Sequence, residues 1–196
     1  QGYGKYAVFP NGNFELHTLP FTEGAFKLEG KTKVSAALMP DYSACVGFEP
    51  DGVGSGFSRK FIQDMLREQQ NYDGVICSDW GITHDEVGVY ACKGKPWGME
   101  TKSVAERHYK ILMAGVDQFG GNNDRGPVLD AYRIGVEKQG EEWMQKRMRT
   151  SARRLLTNIF RTGLFENPYL DPAHTSEEVG CPEFMQEGYD AQLKSV

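Results

Sequence analysis

Three aspartates lie at or near the ends of short apolar runs, and these residues are the best placed to do chemistry. They are Asp41, Asp79 and Asp117, and two of them are followed directly by an aromatic residue, Tyr42 or Trp80. A carboxylate can bond to a ring carbon on which positive charge builds during glycoside cleavage, and an aromatic ring can stack on the sugar. The pattern is also compatible with a bland role, in which each Asp caps the turn after its strand.

The elements around these aspartates repeat one pattern: a short apolar strand, a polar Gly-rich loop and an amphipathic helix. The three predicted strands are Lys33–Met39, Gly74–Ser78 and Gly115–Phe119. The predicted helices are near Ser58–Gln70, from Thr101 or Ser103, over Pro127–Lys138, over Glu141–Thr162 and from about Pro182. Successive βα units demand parallel strands whose carboxyl ends share one edge, which is where function gathers in α/β proteins.

The repeat predicts an α/β fold, either an open doubly wound sheet or part of an eight-stranded barrel. Three strands do not close a barrel, and a complete one takes about 250 residues, whereas this chain has 196. We therefore expect a partial (β/α)8 TIM barrel: its second half, with about three βα units plus closing helices, over residues 1–170. Residues 171–196 are expected to form a polar linker and a last short helix.

Composition is that of an ordinary folded protein, with 39% hydrophobic and 25% charged residues and a net charge of -5. The basic residues form no nucleic-acid footprint, and the one basic stretch, Lys146–Arg154, is expected to be a solvated helix face. No run approaches 18 apolar residues, so no membrane-spanning helix is predicted. Gln1 is not a start methionine and no signal-peptide pattern follows it, so we expect the true beginning to be missing.

The remaining reactive residues lack the spacing of other chemistries. The cysteines form no Cys-x-x-Cys pair and are expected to be free core thiols: Cys45, Cys77, Cys92 and Cys181. The run His84–Glu86 is better explained as a solvated loop than as a metal cluster. Gly52–Gly56 lacks the preceding strand and following Lys of a phosphate cradle, and no serine lies in a nucleophile elbow. No metal site and no cofactor are predicted.

Four short sequence segments resemble glycoside hydrolase family 3, the family of β-glucosidases and β-xylosidases. The run Asp73–Gly81, with the sequence DGVICSDWG, resembles the family's nucleophile segment. Leu38–Tyr42 resembles the preceding strand end, and Ala114–Asp117 resembles the final barrel strand. Arg153–Pro168 is similar to the closing helix and exit. The segments occur in the family's order, and the resemblance covers nearly the whole chain.

The resemblance implies that Asp79 is the catalytic nucleophile of a retaining, exo-acting β-glycosidase that hydrolyses terminal β-glucosides through a covalent glycosyl-enzyme. It also implies that Trp80 packs against the sugar, that Tyr42 hydrogen-bonds close to the nucleophile's carboxylate, and that Met39 lines the same pocket. A nucleophile must be ionised, so Asp79 needs donors that favour its charged form, and Tyr42 is one. The implied substrate is a small-molecule or oligosaccharide β-glycoside, with no cofactor.

Parts of the family pattern lie outside this chain. The family's Lys-His sugar-binding motif and first barrel half precede it, and the general acid comes from an α/β sandwich domain to which residues 171–196 begin the connection. We therefore expect the isolated chain to be inactive, with the missing barrel half and sandwich domain as its partners. Its two uncovered strand edges are expected to favour self-association. Gln118 and Asp41 depart from the residue types usual at those positions.

Two alternatives remain open at the level of sequence. One is a non-catalytic carbohydrate-binding or scaffolding relative, against which the intact Asp79–Trp80 pair argues. The other is the family's amino-sugar branch, in which a His-Asp pair replaces the distant acid; here His84–Asp85 follows the nucleophile instead of preceding it. A periplasmic or extracellular location is favoured over a cytoplasmic one, and neither nucleic acid nor membrane is an expected partner.

Overall fold

The structure is a computed structural model that describes residues 4–85 and 94–195. The chain divides into two compact units, residues 1–156 and residues 157–196. The first unit contains every strand of the described residues, and these are β1 Tyr6–Ala7, β2 Ala37–Leu38, β3 Ala44–Cys45 and β4 Val75–Ile76. The α-helices are α1 Phe14–Leu19, α2 Val104–Ala114, α3 Gly126–Gln139, α4 Glu141–Arg161, α5 Pro172–Glu178 and α6 Pro182–Ser195.

Every strand pair is parallel. β1 pairs with β3, and β2 pairs with β4. The segment after α2 adds to the other edge of β4, because Asp117 donates its N–H to the Ile76 carbonyl and Cys77 forms a parallel bridge with Gln118. β4 therefore has a parallel neighbour on each side, which is the α/β arrangement that the βα repeats predict. Closure into part of a barrel stays a prediction.

The strands are shorter than the sequence predicts. The predicted strand Lys33–Met39 is regular only at β2, and Gly115–Phe119 forms one bridge instead of a strand. β1 and β3 were not predicted at all, and β3 lies in a stretch expected to be loop. A two-residue strand carries no alternation of apolar and polar residues, so no periodic signal marks it.

The helices follow their predicted bounds more closely. Ser103 caps α2 in a reciprocal box: its side chain accepts the Glu106 N–H, and the Glu106 carboxylate accepts the Ser103 N–H. Gly163, at φ 71°, follows the end of α4 as expected of a C-terminal glycine. The helix predicted near Ser58–Gln70 is present but π-helical, over Lys60–Gln69. Helices α1 and α5 were not predicted.

The core of the first unit lies between β4, the π-helix Lys60–Gln69 and helix α2. Ile76, Ile62 and Ile111 contribute one fully buried side chain from each of these elements. Burying a side chain of this size contributes about 1.5–3 kcal/mol. The other fully or nearly buried members are Tyr42, Val53, Phe57, Leu66, Tyr72, Ile82, Trp97, Ala114 and Val116. This packing fixes the layer whose strand ends carry the candidate site.

The second unit is built from the end of α4, helix α5 and helix α6. Asp171 caps α5 with its side chain, which accepts the Ala173 N–H at 2.9 Å. The last predicted helix, from about Pro182, is present as α6. The boundary between the compact units falls within α4, whereas the division at residue 170 concerns the longer family fold and stays a prediction.

Cys45 is buried and Cys77 and Cys181 are half-buried; all three are free thiols, and Cys92 lies outside the described residues. Over residues 4–85 and 94–195, no cluster of three or more His, Cys, Asp or Glu side chains is arranged to hold a metal ion. No described helix combines the length and the apolarity that crossing a membrane requires.

Candidate active site

Asp79 lies just beyond β4, where the strand gives way to a turn. The residue is only 6% exposed. Its Oδ1 accepts the backbone N–H of Trp80 at 2.7 Å, which fixes the orientation of the carboxylate. The Trp80 N–H therefore holds the Asp79 carboxylate in place at the end of the strand.

Tyr42 lies against this carboxylate from the turn that follows β2. Its hydroxyl donates to the Trp80 carbonyl at 2.7 Å. Burial raises the pKa of the Tyr42 phenol, and a hydrogen bond to the Asp79 side chain and the charge of Asp79 raise it further. Tyr42 therefore stays protonated and is a donor at any ordinary pH. The proximity of Tyr42 and Asp79 is as expected from the sequence.

The face of the Tyr42 ring is covered by the segment after residue 93. The Lys95 ammonium lies 4.6 Å from the centre of the Tyr42 ring, and Trp97 packs edge-on at 6.4 Å. Trp97 in turn accepts the N–H of Gly54 through its carbonyl. The phenol beside Asp79 is therefore fixed by a cation and an aromatic ring as well as by its hydroxyl.

Trp80 is the exposed part of the site. Its indole lies on the backbone of Gly120 and Gly121, and a Cβ added at Gly121 would lie 2.4 Å from the indole Cδ1. Only glycine leaves room for the ring there. Trp80 is nevertheless 58% exposed and Met39 is 47% exposed. An exposed indole next to a buried carboxylate offers an apolar surface on which a sugar ring can stack.

Backbone hydrogen bonds join the turn of Asp79 to the neighbouring segment 118–121. Gly81 donates its N–H to the Gly120 carbonyl at 3.0 Å. Gly120 donates its own N–H to Ser78 Oγ at 2.9 Å, and Ser78 N–H donates to the Gln118 carbonyl at 2.8 Å. The turn that carries Asp79 and Trp80 is thereby attached at both ends to the segment 118–121.

Asp41 has the local role that any strand-end aspartate can have. Its Oδ1 accepts the backbone N–H of Tyr42 at 2.7 Å. This contact shapes the turn that presents the phenol. The charge of Asp41 also helps to raise the pKa of Tyr42, after burial and Asp79. Asp41 therefore positions Tyr42 and has no feature of a reacting group.

Asp117 does not join the site, contrary to its expected place at a shared rim. Its side chain is fully buried and accepts from Arg67 at 2.6 Å, Arg154 at 3.0 Å and Ser151 at 2.6 Å. Arg67 also donates to the carbonyl of Gly74, the residue that leads into β4. The carboxylate is therefore turned toward the start of β4, away from Asp79, and is occupied by structural ion pairs.

The groups around Asp117 also correct the expectation that the basic stretch Lys146–Arg154 of α4 forms a solvated helix face. The side chains of Arg147 and Arg154 are only 11% and 12% exposed. Arg147 donates to the carbonyls of Leu112 and Val116, and so joins α4 to the end of α2. Helix α4 thus presents two arginines to the interior, because buried carbonyls and Asp117 there need donors. Arg153, with a side chain 56% exposed, does lie on the solvated face.

The His84–Asp85 pair is not arranged as a free catalytic dyad. Asp85 accepts from Arg107 at 2.7 Å, and the Arg107 side chain is only 3% exposed. Arg107 also donates to the carbonyls of Thr83 and Glu100. Asp85 therefore completes a structural anchor between its loop and α2. Glu86 lies outside the described residues.

The sequence interpretation missed two residues of α2 that support the site from behind, Arg107 and His108. Both are buried. Helical spacing places them with Val104 and Ile111 on one face, since residues three and four apart are neighbours. That spacing was the available signal, but polar residues on an apolar face do not reveal their partners.

Comparisons with known proteins identify relatives of this chain. No protein-family model matches the chain. The periplasmic beta-glucosidase/beta-xylosidase of Dickeya chrysanthemi is 38% identical over 209 residues, covering 99% of this chain and 30% of that protein. Beta-glucosidase C of Emericella nidulans is 34% identical over 194 residues, covering 98% of this chain and 29% of that protein. The chain thus spans about 30% of the length of these relatives.

Among solved structures, the chain is similar to a glycoside hydrolase family 3 beta-N-acetylglucosaminidase from Paenibacillus sp. str. FPU-7. The TM-score is 0.64 at 19% identity, over 90% of this chain and 30% of that one. This likeness concerns the fold. Together, the relatives and the fold indicate a segment of a glycoside hydrolase. The chain belongs to glycoside hydrolase family 3, the family indicated by the run Asp73–Gly81.

Proposed function

We propose that this chain is the nucleophile-bearing part of a retaining, exo-acting β-glycosidase that hydrolyses terminal β-glucosides. The observation that carries the proposal is the buried Asp79 carboxylate, oriented by the Trp80 N–H and hydrogen-bonded by the Tyr42 phenol, beside an exposed indole. The printed names of the relatives, beta-glucosidase and beta-xylosidase, support the substrate class.

In the proposed mechanism, Asp79 attacks the anomeric carbon and the leaving group departs, giving a covalent glycosyl-enzyme that water then hydrolyses with overall retention. The Tyr42 hydroxyl, which donates to the Trp80 carbonyl and lies against Asp79, helps to hold the attacking carboxylate in one orientation. Trp80 stacks on the sugar at the cleavage point and Met39 lines the same pocket. The general acid and the remaining sugar contacts come from other parts of the full-length protein.

The architecture of that full-length protein is part of the proposal. Residues 1–170 form the second half of a (β/α)8 barrel, and residues 171–196 begin the connection to an α/β sandwich domain. The chain spans about 30% of its curated relatives, which leaves room for both missing parts. Its partners are then the first barrel half and the sandwich domain, and uncovered strand edges make the isolated chain prone to self-association. The word periplasmic in one relative's name supports a periplasmic location.

The test uses the full-length protein and a slow 2-deoxy-2-fluoro-β-glucoside, which traps the covalent intermediate. Mass spectrometry of the digest is expected to find the label on Asp79, and Asp79→Ala is expected to abolish labelling. A label on another residue overturns the assignment of the nucleophile. Binding of the sugar with neither label nor turnover supports the carbohydrate-binding alternative instead.

The isolated chain provides a second test. It is expected not to hydrolyse an aryl β-glucoside, because the general acid lies elsewhere. Turnover by the purified 196-residue chain that is lost in Asp79→Ala overturns this account of the missing parts.

A further inference from the structure

A buried imidazole on α2 lies next to the turn that follows Asp79 and Trp80. His108, in α2, is 0% exposed. Its Nδ1 lies 2.8 Å from the carbonyl oxygen of Val104. Because a carbonyl oxygen can only accept, Nδ1 carries the proton, which leaves Nε2 of the neutral ring as an acceptor.

Nε2 faces a side chain whose orientation is fixed. The Asn122 Nδ2 lies 2.7 Å from His108 Nε2, and the Asn122 Oδ1 accepts the Asp124 N–H at 3.0 Å. The two ends of the amide therefore have different partners, and only the NH2 end can face the imidazole. The Thr83 hydroxyl approaches the same Nε2 at 3.5 Å.

These partners come from the two segments that enclose Trp80. Asn122 directly follows Gly121, on whose backbone the indole lies. Thr83 belongs to the turn that follows Trp80, and it is 2% exposed. The ring of Phe119, from the segment under the indole, also packs on the imidazole at 4.4 Å between ring centres. The His108 ring thus contacts both of the segments that enclose Trp80.

We propose that His108 is a positioning residue, which in its neutral form joins Thr83 to Asn122 and so fixes the indole of Trp80 as the surface on which the substrate sugar lies. The proposal rests on the proposed function and goes further by assigning a role to a residue that does not touch the sugar. A protonated His108 has no acceptor at Nε2, so its contact with the Asn122 NH2 becomes repulsive.

The charges around the imidazole favour the neutral form at ordinary pH. Burial lowers the pKa of His108; the Val104 carbonyl acts in the opposite direction, His84 lowers the pKa again, and Asp124 raises it. The pKa of His108 in the folded protein lies below the unfolded value of about 6.5. The contribution of the neutral imidazole to the free energy of unfolding is therefore fully present above that pH. It declines as the pH falls below about 6.5, since the unfolded chain then binds the proton more readily.

The experiment compares His108→Leu with His108→Gln in the full-length enzyme. Leucine fills the space without an acceptor, whereas the Gln amide oxygen can accept from Asn122. We expect His108→Leu to raise KM about tenfold with a smaller change in kcat, since a displaced binding surface costs up to about 10²-fold in rate. His108→Gln is expected to recover most of the lost affinity. Equal losses in both folded variants overturn the proposal.

A matched control separates positioning from simple destabilisation. Leu112→Ala changes a residue that is 2% exposed, one turn further along α2, and removes packing volume while keeping His108, Thr83 and Asn122 unchanged. It is expected to lower the unfolding midpoint while leaving KM near the wild-type value. A rise in KM in this variant equal to that of His108→Leu would mean that any damage to α2 has the same effect.

A readout without catalysis keeps this inference separate from the proposed function. The protein is labelled with 5-fluorotryptophan, and Trp80→Phe assigns the Trp80 resonance in the ¹⁹F spectrum. The wild-type resonance is expected to shift or broaden as the pH falls below 6.5, and His108→Gln is expected to remove that dependence. A Trp80 resonance with the same pH dependence in both overturns the proposal, even if the wild-type protein proves to have no glycosidase activity.

Discussion

Asp79 and Asp117 begin from similar sequence contexts and end in different surroundings. Each follows an apolar run next to β4, and each is buried, at 6% and 9% exposure. Asp79 accepts from the Trp80 amide and lies against the Tyr42 phenol, beside an indole open to solvent. Asp117 is instead bound by arginines and Ser151.

The difference shows what makes a buried carboxylate available for chemistry. Guanidinium groups at 2.6 and 3.0 Å use the lone pairs of Asp117 for structural ion pairs. At Asp79, the Trp80 N–H orients the carboxylate next to an exposed indole. Both residues are buried next to β4, so burial alone does not distinguish their surroundings.

The largest effect is expected for Asp79→Ala in the full-length enzyme. Loss of a nucleophile should lower kcat by about 10⁴-fold or more, because no other group forms the covalent bond. The unfolding midpoint should change little. Hydrolysis of an aryl β-glucoside and a thermal melt measure both quantities, and activity within tenfold of wild type would contradict the role of Asp79.

The opposite pattern is expected for Asp117→Asn. Removing this charge leaves buried guanidinium groups without a counterion, so the free energy of unfolding should fall by about 3–5 kcal/mol. Specific activity per folded molecule should stay close to that of wild type. Urea unfolding combined with kinetics tests this; a stable but inactive Asp117→Asn would place Asp117 in the catalytic site after all.

Two adjacent arginines provide a sharper version of the same comparison. Arg153 and Arg154 both bind Asp73, and Arg154 also reaches Asp117. Arg154→Ala should cost about 3 kcal/mol, the lower end for breaking a buried pair. Arg153→Ala should cost less than about 1 kcal/mol, as for exposed pairs. Equal losses in urea unfolding would show that the buried cluster contributes nothing beyond Asp73.

The smallest catalytic effect is expected for Tyr42→Phe. This change removes the one hydroxyl that the Trp80 carbonyl and the Asp79 side chain share, while keeping the ring under Lys95. We expect kcat/KM to fall by about 10- to 100-fold, equivalent to about 1.4–2.8 kcal/mol for a hydrogen bond to a charged group. Initial rates across substrate concentration measure it, and an unchanged kcat/KM would remove Tyr42 from the mechanism.

The sequence predicted the ends of two helices and the family of the chain. Ser103 begins α2 and Gly163 follows α4 because caps act within a few residues. The run Asp73–Gly81 indicated the family that the relatives support. The expected closeness of Tyr42 and Asp79 is present in the structure, while their catalytic roles remain proposals.

The errors concern partners that are far apart in the chain. Asp117 was grouped with Asp79 because both follow apolar runs, and the sequence does not reveal that Arg67 and Arg154 converge on it from positions 50 and 37 residues away. Arg147 and Arg154 were assigned to solvent for the same reason. His108 was overlooked because its meaning depends on Asn122 and Thr83.

The two strand pairs have a consequence for how the chain reaches this structure. Tyr6 pairs with Ala44 and Ala37 with Val75, a separation of 38 positions in each case. Helices α2, α3 and α4 form from neighbouring residues, but each parallel ladder must first close a long loop, at an entropic cost that no local contact offsets. We therefore expect the meeting of the strands to limit the folding rate, so that improving a helix raises stability by slowing unfolding and leaves the folding rate nearly unchanged.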